Sequence, residues 1–120
     1  MPTKFNMTRD INGYNGFGLV ESDTVYGVLL ASAIEQNFTA PSGEYNNYLA
    51  IFSYTPGTNV FVDLTGNTAA DYSGTIGAVT SELNPSARQV KAGTQISLIC
   101  PDTNGSYVQV AFYVCESYGN

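Results

Sequence analysis

The sequence predicts an all-β protein, an antiparallel β-sandwich of the jelly-roll type with about eight short strands and an extended N-terminal arm. Two observations lead to this fold class. Apolar residues alternate with polar ones in short runs, which is the pattern of half-buried strands. Twelve Gly and five Pro are spread between those runs as turn residues. With 120 residues, 43% of them hydrophobic, the chain is long enough for a single domain with its own core.

Residues 1–23 are predicted to form an arm ahead of a sandwich domain over residues 24–120. The segment is rich in Gly and Asn, and its apolar residues follow neither the strand period nor the helix period. Two interpretations stay open: a loop that covers the end of its own sandwich, or an arm that docks on a neighbouring subunit. In the second case the docking residues are Phe5, Ile11, Tyr14, Phe17 and Leu19.

Short strands separated by turns follow the arm. They are predicted over residues 24–30, 34–40, 48–54 and 60–64, with turns at 41–44 and 55–58 and a weaker strand pattern at 75–80. The strand at 48–54 is apolar on both faces, which predicts a central or interfacial position. Residues 82–87 are expected to form a loop or one short turn.

The last third of the chain has the clearest alternation. Apolar side chains occupy every even-numbered position of residues 96–100 and of residues 108–114. Between them lie Pro, Asp, Asn and Gly, which fix φ, cap the backbone or accept a positive φ. We therefore predict a β-hairpin over residues 88–115.

Two cysteines, Cys100 and Cys115, fall at the ends of this hairpin. In the predicted register they lie about eight residues apart along the ladder, or about 26 Å, which is too far for a disulfide. We expect two free thiols, which fits assembly in a reducing cytoplasm.

The charge of the chain excludes several classes of partner. The formal net charge is −6, and the cations are Lys4, Arg9, Arg88 and Lys91. Nucleic acid and anionic membrane surfaces are bound mainly through Lys and Arg, so we expect neither as a partner. The longest apolar run is far too short to span a bilayer, and the first ten residues lack the apolar region of a signal peptide.

The chain offers little catalytic chemistry. It has no histidine, which excludes Ser-His-Asp and Cys-His nucleophiles and His-ligated metal sites. Most carboxylates fall in predicted turns or at strand ends, where they cap or solvate the backbone. We predict no catalytic residues, no metal site and no cofactor, and hence a protein that is not an enzyme.

Aromatic usage points to binding instead. Nine Tyr, six Phe and no Trp are more aromatic residues than one small core needs, and Tyr is favoured at protein interfaces. About half of the tyrosines suit half-buried strand positions. We expect some of the others at an interface, with Tyr45, Tyr48 and Tyr54 as the candidates.

Four blocks of the sequence resemble small virion-associated β-sandwich proteins of tailed bacteriophages. They are NMTRDINGYNGFGL, APSGEYNNYLAIFSYTPGTNVFVDLTGNTAA, ELNPSARQVKAGTQISLIC and VQVAFYV. The resemblance implies a capsid decoration or cement protein that binds the major capsid protein of the assembled head and stabilises it. It also implies a homotrimer on the capsid exterior of the virion, made in the cytoplasm of the host bacterium.

A different class of binder is the alternative: a receptor- or glycan-binding module of a phage tail or head fibre. Jelly rolls often bind sugars, and a polar aromatic platform could consist of Tyr45, Tyr48, Tyr54, Asn46, Asn47 and Asn104. The absence of Trp and of a long fibre segment weighs against this alternative.

Overall fold

The structure is a computed structural model that describes residues 3–5, 7–9, 12, 15–19, 21–43, 45–70 and 81–114. These residues contain strands and no helix, and the strands form two main sheets around a shared core. The predicted all-β sandwich is therefore confirmed, while the jelly-roll subtype stays a prediction. In chain order the strands are β1 (Thr3–Lys4), β2 (Met7–Arg9), β3 (Asn15–Leu19), β4 (Val25–Leu30), β5 (Gln36–Thr39), β6 (Asn47–Tyr54), β7 (Phe61–Asp63), β8 (Glu82–Leu83), β9 (Ala87–Lys91), β10 (Gln95–Ile99) and β11 (Ser106–Val114).

The first sheet is built on β11. β6 pairs antiparallel with one side of β11, and β9 pairs with the far side of β6. On its other side, β11 pairs with β4 along residues 106–111 and then with β1 at Tyr113 and Val114. β4 and β1 therefore lie one after the other along the same side of β11. The central position predicted for residues 48–54 is confirmed by β6.

The second sheet has the order β5–β10–β7–β8, and every pair in it is antiparallel. The strands predicted at 34–40 and 60–64 are present as the shorter β5 and β7. Residues 82–87, expected as loop, contain the two-residue β8 and the left-handed Asn84 at a φ of 47°. The strand pattern at 75–80 lies outside the described residues.

The core lies between the two sheets. Even-numbered residues of β6 and β11 point inward and meet those of β10, and side chains such as Ala50, Val110 and Ile96 are fully buried. An aromatic cluster joins the sheets at one side, where the rings of Tyr26 and Phe38 meet edge to face at 5.2 Å. The burial of each such large side chain stabilises the fold by roughly 1.5–3 kcal/mol.

The predicted hairpin over residues 88–115 is wrong. β10 pairs with β5 and β7 in the second sheet, whereas β11 pairs with β4 and β6 in the first sheet. Alternation shows which residues share a face, but it does not show which strand lies alongside. The turn residues between β10 and β11 carry the chain across the sandwich instead of folding it back in the same sheet.

Because β10 and β11 lie in different sheets, the separation predicted between Cys100 and Cys115 from a hairpin register does not apply. Cys100 is a buried free thiol at the end of β10, and its carbonyl accepts a hydrogen bond from the Ala33 amide at 2.7 Å. Cys115 lies outside the described residues, so its predicted free state stays a prediction.

The N-terminal segment is partly tied to the first sheet. Thr3 and Lys4 pair with β11, and the hydroxyl of Thr3 accepts a hydrogen bond from the Asp23 amide at 2.9 Å. β2 and β3 pair with each other in a separate two-stranded sheet. The domain boundary at residue 23 stays a prediction.

The crossing from β10 to β11 depends on Gly105. Its φ of 69° is left-handed, and its amide donates to the Asp102 carbonyl at 2.9 Å. A Cβ at this position would overlap the carbonyl oxygen of Leu30 at the end of β4. Only glycine therefore fits between the turn and β4 without a backbone shift.

We expect Gly105→Ala to lower the free energy of unfolding by about 3 kcal/mol, because left-handed strain and the overlap with Leu30 act together. Gly57→Ala is the matched control, since Gly57 has a φ of 80° with open space around it, and it should cost only about 1 kcal/mol. Urea unfolding of both variants measures the difference. Equal losses would contradict a role for the contact with Leu30.

Candidate functional site

Phe5 is the predicted arm residue whose placement is described in full. Its amide donates to the carbonyl of Val114 at 2.8 Å. Its ring meets that of Tyr113 edge to face, with 6.1 Å between the centroids. Since the side chain is still 37% exposed, Phe5 is an aromatic group held in a fixed position at the surface. Ile11 and Tyr14 lie outside the described residues, and for Phe17 and Leu19 only the backbone of β3 is described.

The three candidate interface tyrosines have different surroundings. Tyr48 is 2% exposed and belongs to the core, so its predicted display at an interface is not supported. Its even-numbered position on β6 turns it inward. Tyr45 is partly buried against the same core. Tyr54 is half-buried and stacks on Phe52, with ring centroids 6.2 Å apart.

The predicted sugar platform is not assembled. Tyr48 and Tyr54 lie six residues apart on β6, which separates them by about 20 Å along the strand. Asn47 is buried beside Tyr48 at one end. Asn104 precedes β11, and because Val108 pairs with Tyr54, Asn104 lies toward the opposite end. The predicted platform residues therefore do not lie together at one place on the surface.

Tyr54 has a structural role. Its hydroxyl donates to the carbonyl of Pro85 at 2.5 Å, which holds the segment between β8 and β9 against β6. Burial raises the pKa of Tyr54 well above its usual range, although the nearby Arg88 opposes the shift. Arg88 also forms an exposed ion pair with Glu82 at 2.7 Å, and this hydrogen-bonded contact lowers the pKa of Glu82.

A polar row crosses the second sheet on the side turned away from the core. Asn37, Ser97 and Asp63 are cross-strand neighbours on β5, β10 and β7. Asp63 is 1% exposed, and its Oδ1 accepts from the amide of Thr65 at 2.8 Å and from the Thr65 hydroxyl at 2.7 Å. The carboxylate thus fixes the loop that follows β7.

Ser97 fixes the same loop further along. Its hydroxyl donates to the Glu35 carboxylate and accepts from the Ala69 amide at 2.9 Å. The described residues hold no group of three or more Cys, Asp or Glu side chains that could bind a metal ion. The contacts of Asp63 and Ser97 therefore hold the loop after β7 against the second sheet.

Among the residues whose side chains the structure describes, the most exposed apolar surface lies on and beside β4. Leu29 is 74% exposed and Tyr107, on the neighbouring β11, is 49% exposed; Val25 and Tyr26 are also exposed. A shallow groove of about 570 Å³ separates β4 from β5 and is lined by residues 25–28 and 37–39. This surface was not predicted from the sequence. Its signal was the run VYGVLL, which contains neither a charge nor a proline.

We expect Tyr54→Phe to lower the free energy of unfolding at pH 7 by about 1 kcal/mol, because the Pro85 carbonyl loses its donor. The folded-state pKa lies above the unfolded value of about 10. The stabilisation is therefore complete below pH 10 and is lost as the pH rises further, through the folded-state pKa. Urea unfolding should therefore show a smaller difference in the free energy of unfolding between the wild type and Tyr54→Phe above pH 10 than at pH 7.

The matched control for this substitution is Tyr107→Phe, because Tyr107 is half exposed to solvent. We expect it to change the free energy of unfolding by less than about 0.5 kcal/mol. A loss of unfolding free energy at Tyr107 as large as the loss at Tyr54 would contradict the importance of the hydrogen bond to Pro85.

Comparison with known proteins finds no relatives. No family model matches the chain, and no curated protein or solved structure is similar enough to count as a match. In the part of the chain that the structure describes, no helix is long and apolar enough to cross a membrane.

Proposed function

We propose that this chain is a non-enzymatic structural protein of a tailed-bacteriophage virion, a capsid decoration or cement protein that binds the assembled head and stabilises it. The observation that carries the proposal is the fixed, exposed ring of Phe5 beside β11. It supports binding because a partner meets an aromatic group whose position is already set, which reduces the entropy lost on association. Aromatic residues of this kind dominate the energy of many interfaces.

The arm would extend this contact over the shell. The proposed docking residues are Phe5, Ile11, Tyr14, Phe17 and Leu19, and the proposed partner is the major capsid protein. Pairing of Thr3 and Lys4 with β11 supports an arm that leaves the sandwich from a defined point. An aromatic or aliphatic side chain that enters a groove of the shell would contribute roughly 1.5–3 kcal/mol.

Charge and thiol chemistry are consistent with the proposed location. A net charge of −6 disfavours contact with packaged DNA and suits a protein on the capsid exterior. The buried free thiol of Cys100 suits synthesis in a bacterial cytoplasm, where thiols stay reduced.

The test is to mix the full-length protein with undecorated tailed-phage capsids and image the product by cryo-electron microscopy, with cosedimentation to measure affinity. We expect ordered density at regular lattice positions. Phe5→Ser should weaken binding about tenfold or more, because the shell contact loses an aromatic ring.

The matched control is Ile34→Ser, which removes an apolar side chain that is 54% exposed and lies outside the arm. It should bind the shell like the wild type. Equal binding by the Phe5 variant would contradict the docking role of the arm. Absence of shell binding by the wild type would contradict decoration itself.

The alternative proposal is a receptor- or glycan-binding module of a tail or head fibre. The groove between β4 and β5 favours it, because Tyr26, Asn37 and Thr39 place an aromatic ring and polar groups along one open cleft. For this function we expect signal on a glycan array that Tyr26→Ala abolishes, together with density at a tail or fibre vertex of the native virion. A silent array would leave decoration as the better proposal.

A further inference from the structure

The outer edge of β4 carries backbone groups that point away from the first sheet. The Phe112 amide donates to the Thr24 carbonyl at 3.0 Å, which makes Thr24 and Phe112 a hydrogen-bonded pair in the antiparallel ladder. Because such pairs alternate along the ladder, the even-numbered residues of β4 bond to β11. The amides and carbonyls of Val25, Gly27 and Leu29 therefore point outward, and no strand among the described residues pairs with them.

The opposite edge of the same sheet is protected. β9 carries Arg88 and Lys91, both exposed, and charged side chains on an edge strand discourage pairing with another chain. β4 has no charged residue and no proline over its six residues. Its exposed Leu29 adds apolar surface beside the outward backbone groups.

We propose that β4 pairs antiparallel with β4 of a second copy of this chain, about a two-fold axis at Gly27. In that register Val25 of one copy faces Leu29 of the other, and Gly27 faces Gly27. The three residues with outward amides and carbonyls then satisfy one another, since all of them occupy hydrogen-bonded positions of the new ladder. The contact is isologous, because the same strand serves both copies.

The side chains are self-complementary in this register. On the outer face Val25 and Leu29 form apolar cross-strand pairs, and on the inner face Tyr26 lies opposite Val28. Such pairs stabilise adjacent strands. The ring of Tyr107 leaves no room for a Cβ at Gly27, so it covers the position through which the axis passes.

The carboxylates nearest β4 do not meet across the contact, although each copy has a net charge of −6. Asp23 is the acidic residue nearest the start of β4, and across the axis it lies opposite Ala31 of the second copy. The two Asp23 residues are thus separated by eight positions, or about 26 Å along the strands. This exceeds the Debye length of about 8 Å at physiological ionic strength.

Pairing of β4 is independent of the proposed shell binding, because it involves β4 and not the arm. It predicts a two-fold dimer in place of the trimer that the phage resemblance implies. A strand supplied by a different protein is the other possible occupant of the edge, and it would leave this chain monomeric by itself.

Two double variants of the full-length chain test the pairing by analytical ultracentrifugation. Val25→Lys with Leu29→Lys places like charges opposite each other at both ends of the contact, and it should raise the dimer dissociation constant about a hundredfold or more. Val25→Lys with Leu29→Glu places opposite charges at the same positions and should remain dimeric. The wild type should sediment with the mass of two chains.

The matched control is Ile34→Lys, which adds a charge at an exposed apolar site outside β4 and should leave the dimer intact. Circular dichroism verifies that each variant is folded. A wild type with the mass of one chain or of three chains would overturn the proposal. It would also be overturned if the Lys/Lys and Lys/Glu variants behaved alike.

Discussion

The double-sided pairing of β11 is the constraint on which the rest of the structure depends. Over nine residues, β11 bonds to β6 on one side and to β4 and β1 on the other. Its inward side chains, at the even-numbered positions from Ser106 to Val114, are each at most 2% exposed. A strand buried in this way cannot shift by one residue, because every side chain would change face and the backbone ladders on both sides would lose their register.

Two features of the chain follow from the position of β11. Because β10 is equally central in the opposite sheet, the short segment between them has to cross the sandwich, and Gly105 fits where it passes under Leu30. At the other end, Ser22 donates to the carbonyl of Phe112 and accepts from the amide of Thr24 at 3.1 Å. One buried hydroxyl thus ties the chain to β11 where β4 begins, close to the pairing of β1.

The sequence is informative about faces and less informative about neighbours. Apolar residues on both faces predicted the central position of β6, which pairs with β11 on one side and β9 on the other. Alternation failed for β10 and β11, since a turn-forming sequence permits both a return in the same sheet and a crossing to the other. Tyr48 shows a different limit, because aromatic composition suggested it for an interface, whereas its inward position on β6 buries it in the core.

The candidate surfaces were harder to predict than the core. The partners of Asp63 and Ser97 lie in a loop and on a neighbouring strand, and nothing local in the sequence identifies them. Phe5 was predicted as a docking residue of the arm, but its contact with Tyr113 depends on the parallel pairing of β1, which no local pattern indicates. β4 is a candidate surface because it lies at the edge of its sheet, and only the order of the whole sheet shows which strand lies at the edge.

The difference between the two edges of the first sheet links stability to function. An uncharged edge strand beside an exposed Leu29 risks nonspecific association. Charged residues protect the β9 edge in this way, but β4 carries none. A negative net charge keeps whole copies apart at long range, while the carboxylates nearest β4 do not meet across the proposed contact. The proposed pairing of β4 with a second copy would cover this edge. The proposed contacts therefore use two features of the described surface: the fixed aromatic ring of Phe5 beside β11 and the unpaired edge of β4.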